Sequence, residues 1–200
     1  MKWMTLVAAA VAAGLVLVLL GRLGTEDELP VLGEVTDFRL VQSSGEPIGR
    51  ADLLGQVWVA NFIFTSCPSF CPRLSEQMAS VQRRLDGVDA IRLVSFSVDP
   101  GTDTPQVLRE YGERWGAVPG RWLFVTGERR SMYELVRDGF KLAVEERSPE
   151  EAADGQGIIL HSDRFVLVDS LGRIRGYFAG TDDGSVAELV AATLQLARER

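Results

Sequence analysis

Cysteine and histidine are almost missing from this chain of 200 residues: there are two cysteines and one histidine. Two cysteines cannot build a disulfide scaffold, and a chain of this length buries enough apolar surface to need none. There is no dense run of lysine and arginine. With 28 acidic and 21 basic residues, the net charge is −7. An acidic chain has no electrostatic reason to bind nucleic acid or an anionic membrane surface, so no nucleic-acid partner is expected. No cysteine near the N-terminus could carry a lipid, and no internal repeat or low-complexity tract is present. The length allows one domain of ordinary size with a few tens of residues to spare.

Those spare residues lie at the N-terminus. Residues 3–20 carry no charge, and the run approaches the roughly 20 residues a helix needs to span a bilayer. Signal-peptide cleavage needs small residues just after the apolar stretch. Here the alanine-rich part, 8–13, comes first and the Leu/Val part, 15–20, comes last. That order favours an uncleaved transmembrane anchor over residues 1–22. With Lys2 and the amino terminus inside, the globular part is expected outside the cytoplasm, on the periplasmic or extracytoplasmic side. Residues 23–30 read as a polar tether and 31–200 as one domain.

Within that domain, 36–41 alternate and Ser43-Ser44-Gly45-Glu46-Pro47 turns the chain back, which predicts a hairpin. Residues 57–64 form a near-continuous apolar run, as in a central strand buried on both faces. Pro72 then opens a helix, and Leu74, Met78, Val81 and Leu85 recur on its buried stripe. Residues 90–98 read as a strand. Thr104-Pro105 starts a helix with a capping hydroxyl. A strand over 121–125 and a helix over 128–137 follow, then a further strand over 140–145 and an acidic loop over 148–157. Strands over 164–169 and 174–179 flank the turn Ser170-Leu171-Gly172, and a helix over 186–197 closes the chain. Such alternation builds an α/β fold, a sheet with helices on both faces. Ligands gather beyond the carboxyl ends of its strands.

Both cysteines lie at one such end, in Thr65-Ser66-Cys67-Pro68-Ser69-Phe70-Cys71-Pro72. At helical i, i+4 spacing their side chains share a face. A helix N-terminus favours thiolate, the form that binds metal and attacks disulfides. His161, ahead of the strand over 164–169, could join them. Two thiolates and an imidazole suit copper(I). The same thiols could instead exchange with disulfides, or be an inert buried pair. Structural zinc needs four ligands and would have to recruit Asp99, Asp103, Asp163 or water. The loop from Asp99 to Pro105 is read mainly as a turn and helix cap, and Phe62 and Phe64 as core.

Three motifs carry a resemblance: the segment from Phe64 to Pro72; Ser97-Val98-Asp99-Pro100 with Asp103-Thr104-Pro105; and His161-Ser162 leading into Phe165-Val166-Leu167-Val168-Asp169. Over about 31–200 the chain resembles the SCO/SenC copper chaperones, which have a thioredoxin-like fold and assemble cytochrome c oxidase. An N-terminal membrane anchor is typical of that family. The resemblance implies a mixed sheet flanked by helices and copper, as Cu(I) and also Cu(II), held by Cys67, Cys71 and His161. It also implies a Cys67–Cys71 disulfide that forms and breaks. The implied partners are oxidase subunit II, whose binuclear centre receives the copper or whose cysteines are reduced, and a copper donor or thiol reductant. Many family members carry Asp immediately before the histidine. This chain has Leu160, which removes one group able to orient the imidazole.

Other thiol chemistries fit less well. Thioredoxins separate their cysteines by two residues, not three, and place a proline where this chain has Leu160-His161-Ser162. Peroxiredoxins carry Thr or Ser three residues before the reactive cysteine, and here that position is Phe64.

Overall fold

Val57–Ile63 (β4) is a strand in which every residue is buried. Both faces are covered, so its apolar run has no polar alternation. The computed structural model describes residues 28–68, 70–146, 158–160 and 162–199. The anchor, most of the tether and the 148–157 loop lie outside them. Among the described residues no helix is long and apolar enough to cross a membrane. Residues 31–200 group as one compact unit.

The elements before β4 are Gly33–Glu34 (β1), Arg39–Gln42 (β2) and Pro47–Gly49 (β3). The helix Phe70–Arg84 (α1), Ile91–Ser97 (β5), the helix Pro105–Arg114 (α2), Trp122–Thr126 (β6) and the helix Arg129–Glu134 (α3) follow β4. Then come Val144–Glu146 (β7), Ile158–Leu160 (β8), Arg164–Val168 (β9), Arg173–Ala179 (β10) and the helix Asp183–Arg198 (α4). Eight strands form one sheet in the order β1-β10-β9-β4-β5-β6-β2-β3, and β7 pairs with β8 in a separate ribbon. β4, β5 and β6 are parallel, whereas β9 runs antiparallel to β4 and β2 antiparallel to β6. The sheet is therefore mixed, as expected of a thioredoxin-like fold.

Side chains alternate across a strand. Trp58, Ala60 and Phe62 join Val94 and Phe96 in a core covered by Met132, Leu135, Val136 and Phe140. The opposite face carries α1 and α4, which touch β4 and each other, and α2, which touches β6. The expected stripe of Leu74, Met78, Val81 and Leu85 is buried.

The hairpin, the central strand, the Thr104 cap and the closing helix form as expected. The helix over 128–137 does not stay regular: α3 passes at Leu135–Gly139 into a wider π-helical turn. The strand expected over 140–145 is shortened to β7. Phe140 is fully buried, and Lys141 has a φ of 56°, a left-handed conformation that ends strand geometry.

The β9–β10 turn is fixed by Asp169. Its carboxylate accepts from the Leu171 and Arg173 N–H groups (both 3.0 Å), from Arg173 Nε (2.8 Å) and from buried Arg175 Nη1 (2.9 Å). Gly172 adopts φ 79° there, where an added Cβ would sit 2.6 Å from Arg50 Nε. Burial alone would raise the Asp169 pKa. The backbone N–H of Arg173, the two guanidinium groups and the Leu171 N–H outweigh it and hold the carboxyl below its usual range. A depressed folded-state pKa stabilises the protein above the unfolded value of about 4, and that stability is lost as pH falls through the folded value. The Tm gap between wild type and Asp169→Asn should be widest at neutral pH and close in acid, and a gap independent of pH would refute this.

Candidate functional site

β4 ends at Ile63, and the chain turns before α1 begins. Cys67 N–H donates to the Phe64 carbonyl (3.2 Å), which closes that turn. The helix starts at Phe70, two residues earlier than Pro72 alone suggests. Pro72 is still in the first turn, where no N–H is needed. Cys67 therefore precedes the helix and Cys71 lies within it, so the two do not share a helical face. They meet through the backbone instead: Cys71 N–H donates to Cys67 Sγ (3.4 Å), and Phe64 N–H donates to Cys71 Sγ (3.5 Å). Both cysteines are thiols, with Cys71 buried and Cys67 half-buried.

Position at a helix N-terminus suggests a lowered thiol pKa. At Cys71 the opposite holds. Burial pushes the thiol up to about 12, and although the Phe64 N–H pulls it down, Cys67 and Asp103 push it further up. Desolvation outweighs the helix terminus here.

The two cysteines line a cleft of about 400 Å³ with Phe62, Phe64, Pro68, Phe70, Leu74, Val98, Ser162 and Asp163. Of the two phenylalanines expected in the core, Phe62 is buried and Phe64 is only partly so. Phe70 is 65% exposed at the rim. Ser162 and Asp163 reach the cleft because β9 is antiparallel to β4, which brings its first residues to the end where β4 releases the cysteine loop. His161 lies outside the described residues, and Leu160 is described only as the last residue of β8.

Of the acidic residues that zinc would have to recruit, Asp103 and Asp163 accept side-chain hydrogen bonds and Asp99 leaves one carboxylate oxygen unpartnered. Asp103 is fully buried and accepts from Thr65 and Ser97. Burial raises its pKa, and those hydrogen bonds partly offset the rise. Asp163 accepts from Thr181 Oγ1 (2.8 Å). Asp99 is buried with Oδ1 unpartnered, and its backbone carbonyl accepts from Thr102 and Asp103 to make the turn. Among the described residues no three of His, Cys, Asp and Glu gather as metal ligands.

Tyr111 was not singled out from sequence, and Thr65 and Ser97 entered only inside the motifs that carry the resemblance. Thr65 and Ser97 look like ordinary strand-end hydroxyls, yet both donate to Asp103, one from just past β4 and the other from the end of β5. Tyr111, on α2, shares a buried hydrogen bond with Ser75 (2.8 Å) and lies 3.5 Å from the Cys71 carbonyl. Their only further sequence signal is polar atoms at positions that otherwise read as core.

Comparison with known proteins agrees with this geometry. The "SCO1 protein homolog" of Bacillus subtilis is 29% identical over 189 residues, spanning 92% of this chain and 94% of that protein. BsSco, a member of the Sco family of cytochrome c oxidase assembly proteins in which a disulfide switch was identified, superposes with a TM-score of 0.72. It is 26% identical and covers 86% of this chain and 98% of its own. Arabidopsis thaliana ScoI with copper bound shares the fold, with a TM-score of 0.67 at 20% identity over 83% of this chain and 99% of its own. The family model described as SCO1/SenC matches residues 28–197, and the chain belongs to that family.

Proposed function

We propose that the chain is a copper chaperone: Cys67, Cys71 and His161 hold copper, and the protein passes it to the binuclear centre of cytochrome c oxidase subunit II. The observation that carries this reading is the thiol pair at the mouth of a cleft, joined by a Cys71 N–H···Sγ contact and not by a disulfide. Soft, low-coordinate copper(I) matches two sulfurs and one imidazole, with Cu(II) as a second carried state. The residues that follow His161 line the same cleft, which supports its assignment as third ligand. The copper-bound Arabidopsis relative supports the choice of metal. The apolar run at 3–20 supports a membrane anchor with the domain outside the cytoplasm.

A second reading rests on a specific likeness. BsSco has a disulfide switch, and Cys67 and Cys71 are close enough to share a hydrogen bond. Reversible Cys67–Cys71 oxidation would reduce the cysteines of subunit II, or of another extracytoplasmic protein, before copper arrives. Both activities draw on the same reduced pair.

Anaerobic titration of the reduced protein with copper(I) against a competing chelator tests the first reading, which expects tight one-to-one binding. Burial keeps the Cys71 proton in place at neutral pH, so copper must displace it. The affinity should therefore rise by about tenfold per pH unit from this thiol alone. An affinity that does not change between pH 6 and 8 would show that no Cys71 proton is released when copper binds.

A further inference from the structure

Two consecutive amides leave the end of β4, and each is held by a different side chain. Phe64 N–H points to Cys71 Sγ (3.5 Å), and Thr65 N–H points to the Asp103 carboxylate (3.1 and 3.3 Å). Thr65 Oγ1 also donates to Asp103 Oδ1 (2.5 Å), and Ser97 Oγ, at the end of β5, donates to Oδ2 (2.6 Å). The acid therefore joins the two central strands just where the cysteine loop departs.

Asp103 has no other structural duty that explains it. Helix α2 is capped by Thr104, whose hydroxyl accepts from Val107 N–H (3.3 Å), so the neighbouring carboxylate is not needed as a cap. Full burial of a carboxyl costs free energy unless donors compensate it. All the donors that do so belong to Thr65 and Ser97.

We propose that Asp103 is a positioning residue for the copper site: by fixing Thr65 it sets the Phe64–Thr65 peptide, whose carbonyl accepts from Cys67 N–H, and thereby the placement of the Cys67 sulfur against Cys71. The inference rests on the copper-binding reading. If Thr65 is released, the Phe64–Thr65 peptide turns, and with it the Phe64 carbonyl. The turn closed by Cys67 N–H on the Phe64 carbonyl then loses its anchor.

The test measures copper(I) affinity by chelator competition in wild type, Asp103→Ala, Asp103→Asn, Thr65→Val and the Asp103→Ala/Thr65→Val double variant. Amide hydrogen exchange at Thr65 and Cys67 is followed in the metal-free proteins. Asp103→Ala should weaken binding by about 10- to 100-fold, the usual effect of losing a group that orients a ligand. Asp103→Asn, whose amide oxygen can accept from Thr65 and whose amide nitrogen can donate to Ser97, should restore most of it. Thr65→Val should weaken binding and add little on top of Asp103→Ala, because groups acting through one contact are not additive. Exchange at the two amides should speed up at least about tenfold in Asp103→Ala.

If Asp103 ligated copper directly, Asn would be as damaging as Ala and Thr65→Val would be neutral, and that pattern overturns the proposal. So does wild-type affinity in a folded Asp103→Ala. Should that variant fail to fold, Asp103→Asn and Thr65→Val carry the same comparison. If wild type itself binds no copper, the chaperone reading fails. The exchange data then still decide whether Asp103 holds the loop, and unchanged exchange in the variants overturns it.

Discussion

Cys67→Ser and Cys71→Ser should each weaken copper(I) binding by more than about 1,000-fold, while His161→Ala should weaken it by about 10- to 100-fold. The asymmetry follows from ligand softness. Copper(I) gains most from thiolate, and a hydroxyl cannot replace it. Each factor of ten corresponds to about 1.4 kcal/mol, so the serine variants lose at least about 4 kcal/mol of binding. An imidazole completes a site that two sulfurs already define, and its loss resembles the removal of an orienting partner. The same variants separate the two readings of the site. Thiol–disulfide exchange needs Cys67 and Cys71 and should tolerate His161→Ala. A His161→Ala variant with unchanged copper affinity and unchanged exchange rate would leave the oxidoreductase as the surviving function. Losses of folding stability in the two cysteine variants but none in His161→Ala, with no effect on copper, would instead mark an inert structural pair.

The sequence was most legible where burial is extreme and least legible where two effects compete. β4 is almost wholly apolar and buried along its whole length, as a strand covered on both faces must be. The Thr104-Pro105 start was legible because a capping hydroxyl and a first-turn proline agree. Pro72 was ambiguous for the same physical reason, since any first-turn position tolerates proline. Phe140, Leu142 and Val144 alternate as a strand would, yet Phe140 and Leu142 reach the core from irregular backbone after a π-helical turn. The left-handed Lys141 between them leaves no trace in the pattern. At Cys71 the helix terminus and burial act in opposite directions, and burial depth is set by contacts the sequence does not display. Asp103 was visible as a motif residue and a candidate ligand, but not as an anchor, because its partners Thr65, just past β4, and Ser97, at the end of β5, meet only in the folded sheet.

Phe96→Ala should be the most damaging core substitution near the site, at about 4 kcal/mol within the usual 3–5 kcal/mol for such truncations. Phe96 is fully buried at the centre of an aromatic cluster. Its ring lies 5.8 Å from Phe38, 6.4 Å from Trp58, 5.7 Å from Phe62 and 5.4 Å from Phe140. The cavity would thus open among four rings, where collapse is hard because three of them also hold one another: Phe140 meets Trp58 and Phe62 edge-on. For a domain of this size, about 4 kcal/mol corresponds to a Tm lower by roughly 8–16 °C, measurable by thermal denaturation of the metal-free protein. A fall of less than about 3 °C would mean that the cluster repacks and does not anchor the sheet. Phe62 stacks on Phe96 and also lines the copper cleft, so the same substitution loosens the cleft's floor. The cysteine loop is held independently, by Asp103 on the opposite face of β5 from Phe96. Copper affinity of the folded Phe96→Ala protein should therefore fall by less than about tenfold, since the substitution reaches the cleft through Phe62 and not through the cysteine loop. Stability and metal binding would then be separable in this fold: aromatic packing on one face of the sheet supplies the first, and one buried carboxylate on the other prepares the second.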